Sequence, residues 1–279
     1  MVLPTPEHIP ETVINGRAPS GTAIGAGAAG GDGAAGRAAL SSPAMSNRLY
    51  DALVEETEPL SDWVLRMRLK VESQLPFHFE PGQYVSLHQR AEGQERIRHF
   101  SIASLPAGDN RIELCVGEAA PLAKEGGTVP KPGDVVRVSA PGGSFRLAEP
   151  LDGDLVFIAT GTGISPFRPM IARALEVGAK ERVTLLFGVR ATADILFRAE
   201  FDALAASEPR FRFLPTLSRP DPDWKGLTGY VQAHLDLALG GRSRLDAYLC
   251  GRKDMINAVR PLLAAGGVSS SRIYYEKYA

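Results

Sequence analysis

One segment near the middle of the chain reads Arg98-His99-Phe100-Ser101-Ile102-Ala103-Ser104. We interpret it as a β-strand, in which successive side chains point to opposite faces. Arg98 and Phe100 would then share one face of the strand, while His99 and Ser101 would share the other. A fixed cation, a flat ring and a hydroxyl group are thus expected within a few residues of one another.

These three groups match the parts of one kind of ligand. The guanidinium of Arg98 is always charged and can donate two parallel hydrogen bonds to phosphate oxygens. The ring of Phe100 offers a stacking face, and the hydroxyl of Ser101 can hydrogen-bond a ring nitrogen. A flavin nucleotide has a phosphate at one end and a flat heteroaromatic ring at the other. The alternative is an ordinary strand with an exposed arginine and a core phenylalanine.

The composition excludes several other classes of protein. The 279 residues are 44% hydrophobic, which suffices for two compact domains, and the net charge of −1 gives no indication of a nucleic-acid partner. No apolar run approaches the roughly 20 residues that cross a bilayer, so we expect a soluble protein without a membrane span. Two cysteines in a chain of this size indicate a reducing compartment, so we expect a cytoplasmic protein, and we expect it to be a monomer. Cys115 and Cys250 are too few for a zinc site or an iron-sulfur cluster, so any iron-sulfur partner must be another polypeptide.

We divide the chain into a tail and two domains. Residues 1–45 include a long glycine- and alanine-rich run with little side chain to bury, so we expect this tail to be disordered. Residues 46–148 contain several short alternating segments, such as that of Leu65, Met67 and Leu69, with turn residues between them. Many short strands with little helix predict a small antiparallel β-barrel.

The second domain, residues 149–279, begins with a continuous apolar run that is typical of a parallel strand buried on both faces. A glycine turn follows, and then residues at helical spacing, with Ser165 as a suitable N-cap and Pro166 as a suitable first helical residue. Strands and helices alternate from there on, which predicts a doubly wound parallel sheet with ligands at the carboxyl ends of its strands. In the last long helix, Pro261 predicts a kink or an early stop.

Together these segments resemble the signatures of the plant-type ferredoxin-NADP reductase superfamily. The resemblance covers residues 46–279 and rests on the strand quoted above and on four further segments in the expected order. These are Pro81-Gly82-Gln83-Tyr84, Lys131-Pro132-Gly133-Asp134, Gly161-Thr162-Gly163-Ile164-Ser165-Pro166-Phe167-Arg168 and Cys250-Gly251. The resemblance implies an N-terminal antiparallel flavin barrel followed by an α/β domain for NAD(P).

The resemblance also assigns residues to the flavin. It implies that Arg98-His99-Phe100-Ser101 hold the flavin and that the ring of Tyr278 covers it until nicotinamide displaces the tyrosine. Relatives hold the flavin pyrophosphate at a Gly-x-x-Ser/Thr segment, whereas residues 117–124 of this chain contain no hydroxyl. The family therefore implies FAD, and this segment leaves FMN open.

The remaining implied roles concern the nicotinamide nucleotide. Gly161-Thr162-Gly163 would seat its pyrophosphate, Ser218-Arg219 would contact the adenosine 2'-phosphate, and Tyr230 would stack on the adenine. Cys250-Gly251 would lie against the nicotinamide. Glu276 would join Ser101, Cys250 and Tyr278 in positioning the groups between which the hydride and the proton are transferred.

The implied activity is transfer of a hydride between NADPH and FAD, and of single electrons between FAD and a separate ferredoxin, flavodoxin or other iron-sulfur carrier. A serine and an arginine after a strand suit a dianion, so Ser218 and Arg219 favour NADPH over NADH. Two alternatives stay open. One is an NADH-dependent reductase that serves an oxygenase or reduces free flavin or iron, and the other is a non-catalytic nucleotide-binding module.

Overall fold

The computed structural model describes residues 14–15, 48–91, 94–117, 129–177 and 181–278. They form two β-sheets, and helices pack on the second sheet. Of the tail that we expect to be disordered, Ile14–Asn15 forms a short strand, β1, and the rest lies outside the described residues. Residues 118–124, which belong to the segment without a hydroxyl, also lie outside them. None of the helices described is long and apolar enough to cross a membrane.

The first sheet is antiparallel and contains six strands. In chain order these are β2 (Leu49–Pro59), β3 (Val64–Val71), β4 (Tyr84–Ala91), β5 (Gln94–Ser101), β6 (Arg111–Gly117) and β7 (Val135–Ser139). Their spatial order is β5-β4-β7-β2-β3-β6. The two edges approach each other just beyond β5, where Ile102 bridges to Leu114 and the amide of Ala103 donates to the carbonyl of Glu113 at 2.7 Å. The predicted barrel is confirmed as a six-stranded half-barrel.

Alternating side chains build the core of the half-barrel. Met67 and Leu69 of β3 are buried, as their spacing predicts, and they pack in one cluster with residues of the other strands. The sequence pattern did not reveal β2. A bulge between Val54 and Glu56 interrupts the period of two in that strand, and this hides it from a search for alternation.

The second sheet has six parallel strands, with β1 added antiparallel at one edge. The parallel strands are β8 (Asp154–Thr160), β9 (Val183–Val189), β10 (Phe211–Leu217), β11 (Leu227–Thr228), β12 (Leu245–Arg252) and β13 (Ile273–Tyr278). The spatial order of the sheet is β1-β13-β12-β8-β9-β10-β11. The α-helices of this half are α1 (Phe167–Glu176), α2 (Arg198–Ser207), α3 (Leu235–Leu239) and α4 (Lys253–Ala265).

Helices cover both faces of the parallel sheet. On one face, Phe167 of α1 and Phe201 of α2 belong to the same buried cluster as Phe157 of β8. On the other face, Ile256 of α4 belongs to a cluster with Ile158, the next residue of β8. Adjacent residues of one strand therefore face different helical layers, and the predicted doubly wound sheet is confirmed.

The prediction that Ser165 caps α1 is wrong. The helix begins at Phe167 with Pro166 as its N-cap, and the Ser165 hydroxyl donates to the carbonyl of Thr162 at 2.7 Å. Ser165 also has helical backbone angles, with φ −52° and ψ −53°, whereas an N-cap residue is non-helical. The serine side chain therefore stabilises the 3-10 turn Gly161–Ile164 that precedes the helix.

The early stop predicted at Pro261 is also wrong, because α4 continues through this residue to Ala265. A proline inside a helix leaves the carbonyl four residues earlier, here that of Asn257, without its usual partner. Asn257 and Pro261 both lie on the exposed side of α4. Water can therefore satisfy the carbonyl there, and the buried side of the helix keeps its packing.

Candidate active site

The two halves of the chain meet at a hydrogen bond between two predicted site residues. Ser101, the last residue of β5, donates from its Oγ to Oε2 of Glu276 in β13 at 3.2 Å, although 175 residues separate them in the chain. Ser101 is 4% exposed and Glu276 is 2% exposed. The hydroxyl and the carboxyl group are therefore held together at a junction that largely excludes water.

Burial has a large effect on the carboxyl group at this junction. Removal from water raises the pKa of Glu276 to about 7 from an ordinary value of 4.5, and the hydrogen bond from Ser101 opposes the rise only in part. Groups with such displaced pKa values are enriched at functional sites. Near neutral pH this carboxyl group can both accept and release a proton.

Cys250 lies beside Glu276 on the neighbouring strand. The two residues are paired in the parallel register of β12 and β13, and Cys250 is fully buried. The strand end is also in close contact with the glycine turn after β8: a Cβ at Gly163 would overlap the carbonyl oxygen of Cys250, and one at Gly251 would overlap the hydroxyl of Thr160. Gly251 also has φ +136°, a conformation that favours glycine. Both glycines are thus required for this close approach.

The glycine turn has one open side and one side against the half-barrel. Among the described residues, apart from its two neighbours in the chain, no atom lies within 4 Å of where a Cβ of Gly161 would be, so a ligand can approach the backbone there. The side chain of Thr162 lies against Gly117 at the end of β6, with its methyl 3.0 Å from the Cβ position of that glycine. This arrangement suits a pyrophosphate, which needs close access to backbone amides.

The register of β4 and β5 shows how the predicted flavin strand is oriented. Ser101 lies opposite Tyr84, so the two side chains share a face, and the ring of His99 meets the ring of Tyr84 edge-on with a centroid distance of 5.1 Å. Arg98 and Phe100 are on the other face, where Phe100 is partly buried against the core of the half-barrel. Tyr84 therefore joins the site, although the sequence analysis used it only as a family landmark.

A second group of predicted residues meets at the carboxyl ends of β9 and β10. The amide of Arg219 donates to the carbonyl of Arg190 at 2.8 Å, and the amide of Ser218 donates to that of Val189 at 3.0 Å. Arg190 and Arg219 are both exposed, and neither forms an ion pair with any described residue. Tyr230, which follows β11, is 73% exposed. The sequence analysis missed Arg190, which a search for cations after parallel strands would have found.

Tyr278 is the last residue of β13 and is paired in register with Arg252. Its side chain is not among the parts of the chain that the structure describes. The covering of a flavin ring by Tyr278 therefore stays a prediction.

Two known domain families match the chain, one in each half. Residues 51–147 match the oxidoreductase FAD-binding domain, and residues 157–261 match the oxidoreductase NAD-binding domain. The first match contains the half-barrel strand with Ser101, and the second contains the glycine turn and Cys250. The comparisons thus favour the oxidoreductase over the non-catalytic binding module.

Known relatives include both complete reductases and reductase components of oxygenases. Ferredoxin--NADP reductase B of Sorangium cellulosum is 36% identical over 242 residues, which cover 82% of this chain and 97% of the relative. The reductase component of phenol 2-monooxygenase from Pseudomonas sp. is 34% identical, with 82% of this chain and 65% of the relative covered. The chain thus spans about two thirds of the length of this second relative.

Among solved structures, the Amycolatopsis cytochrome P450 reductase superposes with a TM-score of 0.74 at 30% identity, over 82% of this chain and 69% of that protein. The fold, the two domain matches and the similarity to a complete reductase all agree. The chain therefore belongs to the ferredoxin-NADP reductase superfamily and is an oxidoreductase with FAD-binding and NAD(P)-binding domains.

Proposed function

We propose that this protein transfers electrons from NADPH through FAD to a separate ferredoxin or flavodoxin. Residues 46–148 would form the flavin domain and residues 149–279 the nucleotide domain. The observation that carries the proposal is the hydrogen bond between Ser101 and Glu276, because it joins the predicted flavin strand to the strand beside Cys250. The similarity to a ferredoxin-NADP reductase over 97% of its length supports it.

The flavin would be held by Arg98-His99-Phe100-Ser101, with Tyr84 on the same face as Ser101. Bound FAD would supply the redox chemistry, since it takes up two electrons as a hydride and can release them one at a time. The task of the protein is then to orient the reacting groups and to exclude water. The burial of Ser101 and Glu276 supports both parts of this task.

The nicotinamide nucleotide would bind along the carboxyl edge of the parallel sheet. Gly161, Thr162 and Gly163 would present backbone amides to its pyrophosphate, and Gly251 would let the nicotinamide approach the strand end beside Cys250. Glu276 would hold or release a proton at its carboxyl group, to which Ser101 donates a hydrogen bond.

The role of the thiol can be tested with two matched variants. If Cys250 orients the nicotinamide, C250A lowers kcat with ferricyanide as acceptor by about tenfold, because small errors in position are costly in hydride transfer. The control is C115A, which removes the other buried thiol of the chain, on β6. Equal kcat values for the two variants would remove Cys250 from the proposal.

The preference for NADPH is supported by Ser218 and by the two guanidinium groups of Arg190 and Arg219. Arginine pairs well with phosphate, and NADPH differs from NADH by one phosphate. We expect R190A and R219A each to raise KM for NADPH by about tenfold and to leave KM for NADH nearly unchanged. R244A is a suitable control, because Arg244 is highly exposed and lies just before β12, at the opposite edge of the parallel sheet from the ends of β9 and β10.

Initial rates with NADPH and NADH at matched concentrations test the function as a whole, with ferredoxin, flavodoxin, ferricyanide and free FMN as acceptors. We expect faster reaction with NADPH and efficient reduction of ferredoxin or flavodoxin. The absorbance spectrum and chromatography of the released flavin identify FAD or FMN. Protein that takes up no flavin, or that reduces no acceptor, would contradict the proposal.

A second candidate is an NADH-dependent reductase that serves an oxygenase. The 34% identity to the reductase component of a phenol 2-monooxygenase favours it. Faster rates with NADH, together with slow reduction of ferredoxin and flavodoxin, would select this candidate. The R190A and R219A variants would then have little effect on activity.

A further inference from the structure

A second connection between the two halves of the chain is centred on Arg168, the second residue of α1. Its Nη1 donates to Oε2 of Glu113 in β6 at 2.6 Å and to the carbonyl oxygen of Ala103 at 3.0 Å. Within the described ranges, no other ion pair joins the half-barrel to the second half of the chain. One guanidinium group therefore contacts both edges of the half-barrel, at the place where they approach each other.

The same guanidinium is also fixed within its own half. Its Nε donates to both carboxylate oxygens of Glu200 in α2 at 2.9 Å, and its central carbon lies 4.7 Å from the centroid of the Phe197 ring. The side chain of Arg168 is only 14% exposed. Arginine is suited to such a position, because its planar group donates several hydrogen bonds in fixed directions.

Arg168 is linked to the candidate active site on both sides of the junction. Ala103 lies two residues beyond Ser101, and its amide is itself bonded to the carbonyl of Glu113. On the other side, α1 begins directly after the turn that holds Gly163 against the backbone of Cys250. Arg168 thus connects the strand of Ser101 with the turn that contacts Cys250.

We propose that Arg168 is a positioning residue for hydride transfer, which fixes the spacing between Ser101 on the half-barrel and Cys250 with Glu276 on the parallel sheet. This inference rests on the proposed function. Arg168 itself touches neither the thiol nor the carboxyl group of Glu276 in the described contacts. Its effect is exerted through Ala103, Glu113 and the start of α1.

The test compares R168Q, R168K and R173Q in the FAD-loaded protein. Arg173 is the control, because it lies on the same helix, is half exposed and forms an exposed ion pair with Glu176 one turn away. With excess ferricyanide, we expect R168Q to lower kcat by about tenfold while KM for NADPH changes less than about twofold, since position and not binding is altered. R168K keeps the charge without the forked geometry and should fall between R168Q and the unaltered protein.

Hydrogen-deuterium exchange gives a readout that does not depend on activity. In R168Q we expect faster exchange in segments 101–104 and 273–278, and in R173Q we expect the exchange of the unaltered protein. If R168Q does not fold, the kcat and the exchange of R168K are compared with those of R173Q instead.

Three outcomes would overturn the inference. They are an unchanged kcat in both Arg168 variants, a rise in KM for NADPH that accounts for the whole loss of kcat/KM, and faster hydrogen-deuterium exchange throughout the chain without a larger effect in segments 101–104 and 273–278. If the unaltered protein does not oxidise NADPH, the proposed function fails instead. Active unaltered protein with fully active Arg168 variants would reject only the role of Arg168.

Discussion

The junction between the two halves holds two buried carboxyl groups whose surroundings differ sharply. Glu113 receives hydrogen bonds from Arg68 at 3.0 Å and from Arg168 at 2.6 Å. Burial opposes its ionisation, but these bonds from arginine hold the pKa of Glu113 below its ordinary value. The carboxyl group of Glu276 accepts a hydrogen bond from the hydroxyl of Ser101, and burial raises its pKa to about 7.

The difference separates a structural carboxylate from one that can change its charge. Arginine partners compensate for the desolvation of Glu113, so this group stays ionised at neutral pH and can hold the two halves together. The hydroxyl of Ser101 compensates only in part for the desolvation of Glu276, so the pKa of this carboxyl group stays raised. The junction thus combines a permanent ion pair, which sets geometry, with a carboxyl group whose protonation can follow the reaction.

The largest effect is expected from E113Q. This substitution leaves the buried guanidinium of Arg168 without its carboxylate partner across the junction, and breaking a buried ion pair costs about 3 to 4 kcal/mol of unfolding free energy. Urea unfolding at neutral pH measures the loss. E176Q is the control, because that carboxylate forms an exposed pair on α1 and its removal should cost about 0.5 kcal/mol or less. Equal losses would show that the Glu113 pair is no stronger than a surface pair.

E276Q should have an effect of similar size and opposite sign. Folded Glu276 keeps its proton up to about pH 7, whereas the unfolded chain releases it near the ordinary value of 4.5. Between these values the folded state binds more protons, so the unaltered protein loses stability as the pH rises. Glutamine carries no charge, so E276Q should match the unaltered protein below about pH 4.5 and exceed it by roughly 3 kcal/mol above about pH 7.

Urea unfolding of both proteins across this pH range measures that difference. Because all other titrating groups are common to the two proteins, the difference between their curves isolates Glu276. A difference that does not depend on pH would mean that Glu276 titrates at its ordinary value, and the contrast with Glu113 would disappear.

S101A should give the smallest effect and should sharpen the contrast. The hydroxyl of Ser101 lowers the pKa of Glu276, so its loss should raise that pKa further above about 7. A hydrogen bond from a hydroxyl is stronger by about 1 kcal/mol to a carboxylate than to a neutral carboxyl group, which corresponds to less than about one pH unit. The carboxyl stretching band of Glu276, assigned by its loss in E276Q and followed by infrared titration, measures the change. A downward shift would show that Ser101 does not donate to the carboxylate.

Much of the fold could be predicted because its signals are local. The alternation in β3 and the apolar run of β8 correspond to the observed strands. The errors arose where local rules compete with one another. The bulge after Val54 hid β2, a 3-10 turn used the hydroxyl of Ser165, and exposure allowed Pro261 to stay inside α4.

The candidate site was predicted in part. The segments that carry Ser101, Cys250 and Glu276 could be recognised from their sequence signatures, and the structure brings these segments together. Arg168 is the last residue of the recognised glycine-turn motif, but nothing in the sequence indicated its contact with Glu113, which lies in no recognised motif. An arginine on an amphipathic helix and a glutamate on a strand usually face solvent, and only the packing of the two halves makes them a buried pair.

The sequence by itself determined the elements: a strand with a cation, a ring and a hydroxyl, and a strand, glycine turn and helix suited to a dinucleotide. Backbone preferences and side-chain periodicity act over a few residues, so these features can be recognised without a structure. Only the tertiary structure decided that Ser101 meets Glu276 and that Arg168 meets Glu113. These contacts depend on how two sheets far apart in the chain pack together. The packing places arginine partners at Glu113, which stays charged, and it buries Glu276 beside the hydroxyl of Ser101, which raises the pKa of that carboxyl group.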